Sequence, residues 1–248
     1  MKLKLSIFFL FLLNISTSIQ AQETIKLNQN FNKIIVSPHI EVVLKKGSEA
    51  KIEIDDIIVD REKFLYEIEK GTLQVYLEGA KTYTKNKKIK VNNYETKVPL
   101  YNNRVVRLII TYTDVDTFSL RGEEKITFDS PIVQNNCKLR VYGKSEVVIN
   151  TINVNKLDVS IYGESFLKIE KGIANQQKLT AYGASKIMAP DVVSQEIKLT
   201  AYGDGVFQVN ASEKIKVTAY GEATVLYKGN ADLKKGLVIG ESKIKRIQ

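Results

Sequence analysis

Apolar and polar residues alternate along most of this chain, and over its second half the alternation falls on a fixed beat. Aligned on Gly122, Gly143, Gly163, Gly183, Gly203, Gly221 and Gly240, the repeats are 21, 20, 20, 20, 18 and 19 residues apart. Four positions before the glycine stand Phe118, Leu139, Val159, Leu179, Leu199 and Val217; two before stand Leu120, Val141, Ile161, Ala181, Ala201, Ala219 and Val238. Polar residues fill the places between. Period-two alternation predicts a strand with one buried face. After the glycine comes a small residue two positions on (Ser145, Ser165, Ser185, Gly205, Ala223 or Ser242), then a second apolar pair four and six positions on, such as Val147 and Ile149. A shorter stretch, residues 151–154 in one repeat, closes the circuit.

Each unit therefore reads as strand, glycine corner, strand and a short closing strand. Glycine permits the positive φ that a sharp corner needs. A repeat of about twenty residues is too short for a strand and a full helix, and marks a solenoid whose units bury a core only by stacking. The predicted fold is all-β, a right-handed parallel β-helix. Its handedness follows from the general crossover preference.

Before the regular coils, residues 22–117 read as a less regular β region. Short strands at 33–36, 40–44, 51–54, 64–68 and 73–77 are separated by turns at Gly47 and Lys70-Gly71. They are either wider opening turns of the same solenoid or a small β-domain beside it. Residues 81–104 break the pattern, being rich in Lys, Asn and Thr with Tyr83, Tyr94 and Tyr101. This segment reads as a solvated insertion or long hairpin, or as a basic contact arm.

Residues 1–21 carry Lys2 and Lys4, an apolar run over 5–13 and Ala21 at the expected cut, the pattern of a secretory signal peptide. The run is short for a membrane span, and no later one is readable. The net charge of +9 is local. Residues 81–107 hold eight basic residues against Glu95 alone, and the rest of the mature chain is nearly balanced. A basic patch on an exported chain does not point to nucleic acid. Cys137 is the only cysteine, so no intrachain disulfide can form; its column holds Leu157, Ile197 and Ile215, the company of a buried hydrophobe. His39 is also alone, and one histidine builds neither a metal site nor a triad. No cofactor is expected.

The residues also resemble a known family. Phe31-x-x-Ile34-x-Val36 and Ile40-x-Val42-x-Leu44-x-x-Gly47 are similar to the opening of the exported Gram-negative auto-transporter adhesin "head GIN" domains. Gly71-x-Leu73-x-Val75 resembles their middle, and the spaced Gly-x-Ser coils their C-terminal part. The resemblance covers nearly all of residues 26–248. It implies a β-helical fold and a periplasmic or surface location, with no catalytic residues to carry over. Family coils often have a small polar residue where this chain has tyrosine before glycine.

Those outward columns hold the candidate site. Tyr142, Tyr162, Tyr182, Tyr202 and Tyr220 precede the glycines. Hydroxyl residues such as Thr180, Thr200 and Thr218 come three before. Lys178, Lys198, Lys216 and Lys235 come five before. Aromatic rings with polar tips suit sugars, and lysines attract acidic groups, so this face is a candidate site for an extended acidic polysaccharide. A plain structural ladder is the competing reading. An acidic file beyond the corner (Glu123, Glu164, Asp204, Glu222, Glu241) faces solvent, without the convergence or buried acid that glycoside hydrolysis needs. The expectation is an exported, non-enzymatic protein acting by surface contact, adhesin-like or polysaccharide-binding. A periplasmic accessory protein that binds another envelope protein through the basic arm is the alternative, and an enzyme shaped like a polysaccharide lyase comes third.

Overall fold

The computed structural model describes residues 23–91 and 94–248; the segment read as a signal peptide lies outside them. Among the described residues strand makes up 69%, with no α-helix, and winds into a parallel β-solenoid of about six turns. The regular coils use β10 (Thr117–Gly122), β11 (Lys125–Phe128), β12 (Ile132–Gly143), β13 (Glu146–Ile149), β14 (Ile152–Gly163), β15 (Phe166–Ile169), β16 (Gly172–Tyr182), β17 (Lys186–Tyr202), β18 (Val206–Tyr220), β19 (Thr224–Lys228), β20 (Asp232–Ile239) and β21 (Lys243–Arg246). Each strand pairs in parallel with the one a coil later: Leu139 lies opposite Val159, Val159 opposite Leu179 and Leu179 opposite Leu199. The sequence columns are thus vertical files. Their apolar members are buried up to the last coil, where Val238 and Ile244 are only partly so.

The corner explains the repeat. Gly163 adopts φ +88, and a Cβ placed on it would lie 2.4 Å from the Gly143 carbonyl oxygen of the coil before. Only glycine suits both the dihedral and that close approach. The small residue that follows closes the corner: Ser145 Oγ donates to Gly122 O at 3.0 Å and Ser185 Oγ to Gly163 O at 3.1 Å.

The first part of the chain joins the same sheet. It contributes β1 (Glu23–Lys26), β2 (Lys33–Val36), β3 (Ile40–Lys46), β4 (Lys51–Ile57), β5 (Phe64–Glu69), β6 (Thr72–Leu77) and β9 (Val106–Tyr112). β2 and β3 stack in parallel on β10 and β11, and β6 and β9 stack on β2 and β3. Antiparallel β4, β5 and β1 then cover the end. Tyr112, Phe118 and Phe128 pack edge to face in the core beneath this end. Between β6 and β9 the chain leaves the solenoid as a hairpin, β7 (Asn86–Val91) with β8 (Tyr94–Pro99), a two-stranded sheet of its own. The basic insertion is therefore a hairpin, called the arm below.

Candidate functional site

The five tyrosines point outward and stack in one file. Successive ring centres are 4.8, 4.9, 4.9 and 5.0 Å apart, with planes within 6° of parallel. The spacing is that of neighbouring strands, so the parallel register sets the stack directly. Tyr182 and Tyr202 remain 39% and 40% exposed. This geometry alters the expected chemistry. Each interior ring has its two faces covered by its neighbours, so the file offers edges and hydroxyls and not a platform for sugar rings. At one end Arg121 occupies the column opposite Tyr142. At the other, Ile239 stands opposite Tyr220.

The lysine file runs parallel to it. Lys178, Lys198 and Lys216 lie opposite one another on adjacent coils. Lys235 does not continue them: Lys234 lies opposite Lys216 and Lys235 opposite Val217, because the register slips at Gly236, one residue out of phase. With Lys156 and Lys214 the file lines a groove of about 400 Å³, which also holds Asp158 and Glu196. Asp158 pairs with Arg140 at 3.1 Å and lies 3.9 Å from Lys178. Among the described residues no acid lies within ion-pair distance of Lys198, Lys214 or Lys216. Adjacent ammonium groups on the order of 5 Å apart repel by up to about 0.8 kcal/mol in water. An anionic ligand would relieve that repulsion.

The acidic file is not a cluster. Lys144 interrupts it and pairs with Glu164 at 3.3 Å. Among the described residues no three His, Cys, Asp or Glu side chains come together as metal ligands. Cys137 is buried in its predicted column, and desolvation pushes its thiol up to about 12.

A second concavity, about 530 Å³, was not foreseen. It lies between the foot of the arm (Tyr83, Thr84, Asn103) and the start of the tyrosine file (Arg121, Glu124, Tyr142). His39, at φ +70, clasps the arm to the coil. Its Nδ1 donates to the Asn103 carbonyl at 2.7 Å, and its Nε2 accepts from the Thr84 hydroxyl at 2.6 Å. The Tyr101 ring packs on it at 5.8 Å. The signal was present in the small-residue column, whose first member is Glu124 where the later coils carry serine, glycine or alanine.

With the geometry in hand, the chain can be set beside known proteins. A structure from Bacteroides fragilis NCTC 9343, described as a "putative adhesin", matches with a TM-score of 0.74 and 21% identity, over 91% of this chain and 96% of that one. Another so described, from Parabacteroides merdae ATCC 43184, matches at 0.65 and 18%, over 92% and 96%. A "putative lipid binding protein" from Parabacteroides distasonis ATCC 8503 matches at 0.65 and 15%, over 92% and 97%. At these identities the likeness is one of fold. No curated protein matches the chain. The family model for "Putative auto-transporter adhesin, head GIN domain" matches residues 30–231, and the chain belongs to that family.

Proposed function

We propose that this is an exported, non-enzymatic protein that works by surface contact and holds an extended acidic polysaccharide along its tyrosine–lysine face. The lysine groove carries the reading: Lys156, Lys178, Lys198, Lys214 and Lys216 outnumber its two acids, Asp158 and Glu196, so it keeps a net positive charge. Beside it the tyrosine and threonine hydroxyls recur once per coil, a spacing that suits a repeating ligand. Ring stacking has no part in this mode, since the rings are occupied with one another. The adhesin-like naming of the family and of the neighbours agrees with a contact role.

The test is retention of the protein by a polyuronate gel in affinity electrophoresis, against a neutral glucan. The double variant Lys198→Glu with Lys216→Glu should weaken retention at least tenfold, about 1.4 kcal/mol, and raising salt should weaken the wild type. Equal retention of variant and wild type sinks the reading. Capture by anionic lipid vesicles in place of polyuronate also counts against it.

The arm supports a second reading, a docking element for another envelope protein. Among the described residues β7 and β8 pair only with each other, and an isolated two-stranded hairpin is marginally stable in water. Deleting residues 81–104 should then abolish co-purification of a defined envelope protein while polyuronate retention persists.

A further inference from the structure

We propose that the cavity at the foot of the arm is a separate binding site that takes one neutral sugar unit. It does not rest on the polysaccharide reading of the lysine groove, because different residues line it.

The first observation is a free aromatic face. The tyrosines of the file cover one another, whereas Tyr83, at the cavity's rim, is 70% exposed. A sugar presents an apolar patch of C–H groups that packs on such a ring. The second is Glu124. Its side chain is only 6% exposed, so a carboxylate has been buried where the fold elsewhere makes do with a hydroxyl, a methyl or nothing. One oxygen, Oε2, accepts the backbone N–H of Glu123 at 2.9 Å. Among the described residues the other, Oε1, receives no hydrogen bond. His39 Nδ1 is 3.8 Å away and already committed to Asn103. Glu124 lines the cavity with that acceptor oxygen unused by the chain, and a ligand hydroxyl could donate to it in place of water.

The mixture of charges selects the ligand class. Arg121 shares the cavity with Glu123 and Glu124. A cationic ligand would meet the guanidinium and an anionic one the carboxylates. A neutral polyol suits both, donating to the carboxylates and accepting from the guanidinium. The volume of about 530 Å³ lies within the usual range for small-ligand sites, with room for a single pyranose.

The test is saturation-transfer NMR on the full mature chain with the methyl glycosides of glucose, galactose and mannose at millimolar concentration, beside free glucuronate and glucosamine. At least one neutral glycoside should give a signal that falls at least fivefold in Tyr83→Ala and in Glu124→Ser, with weaker signals from both charged sugars. Glu124→Ser installs the residue that later coils use, and Tyr83→Ala removes an exposed ring, so both should fold. If Glu124→Ser does not, Tyr83→Ala decides alone. No neutral signal, a signal unchanged by the substitutions, or charged sugars binding as well overturns the proposal. Polyuronate retention of the same wild-type protein is measured alongside. Its loss with the glycoside signal kept removes only the polysaccharide reading, and the converse removes only this one.

Discussion

The guanidinium of Arg121 lies over the ring of Tyr142, 5.5 Å from its centre, in the column where the next tyrosine of the file would stand. A cation over an aromatic face is a favourable contact, worth about 0.5–1 kcal/mol at exposed sites. It closes the stack at the end nearest the arm, and it marks where an apolar file gives way to a charged cavity.

The interior of the file should matter more to stability than its ends. Tyr182→Ala removes two stacked pairs, at about 0.5–1.5 kcal/mol each. Tyr220→Ala removes one. Chemical denaturation should show the first as roughly twice as damaging. Tyr182→Phe keeps the ring and should fall within about 0.5 kcal/mol of the wild type. Equal losses at Tyr182 and Tyr220 would mean that the rings contribute independently of their stacking.

The corner glycines should not tolerate a methyl group. Gly163→Ala combines a positive φ with a Cβ 2.4 Å from backbone oxygen, and should cost about 2–4 kcal/mol. Gly236 has no positive φ, and its added Cβ would meet the Thr218 hydroxyl at 2.5 Å, which a χ1 rotation can move, with backbone oxygen no nearer than 3.3 Å. Gly236→Ala should cost about 1 kcal/mol or less. Thermal unfolding of the two variants side by side tests the contrast.

Cys137 should behave as a hydrophobe with a pH signature. Burial first, and Asp116 second, raise its thiol from 9.0 to about 12; burial also raises the Tyr112 hydroxyl. Both groups are held protonated in the fold. Their stabilisation is complete below the unfolded values and is lost as the pH climbs toward the folded ones. Stability should fall between about pH 9 and 12, and Cys137→Val should flatten that fall. At neutral pH iodoacetamide should label the thiol only after denaturation.

Gln177 stands in the buried column of Leu157 and Ile197, with Nε2 donating to Ser194 Oγ at 2.6 Å and Oε1 without a partner. Gln177→Leu together with Ser194→Ala removes both polar groups. The double variant should be as stable as the wild type or about 1 kcal/mol more so. Gln177→Leu alone leaves the Ser194 hydroxyl stranded and should be the less stable of the two. A double-mutant cycle in urea measures the difference.

The regular coils were legible because each pairing there is local and repeated: a residue's vertical neighbour lies 18 to 21 positions away, and the glycines mark the count. Where the count slips, as at Gly236, counting back from the glycine puts Lys235 in the column that Lys234 fills. The outward direction of Tyr182 followed from alternation. The covering of its faces did not, since whether rings stack or splay depends on side-chain torsions that period-two patterning leaves free. Glu124 and Gln177 were visible as exceptions to their columns, but only the packing shows that one borders a cavity and the other is sealed in. Before β10 the strands were readable, and so was the option that they open the same solenoid, but their pairing was not. Leu44 pairs with Ile110 on one side and Phe128 on the other, and no periodicity links positions so far apart.

That interleaving has a consequence for how the molecule is made. β9 lies between β3 and β4, although β3 and β4 follow one another directly in the chain. As the chain emerges, β3 and β4 thus wait, incompletely paired, for a strand that ends at Tyr112. Every later coil can settle on its predecessor as soon as about twenty more residues arrive. Assembly should be slowest at the beginning of the chain, where loop closure is longest, and quick and stepwise thereafter.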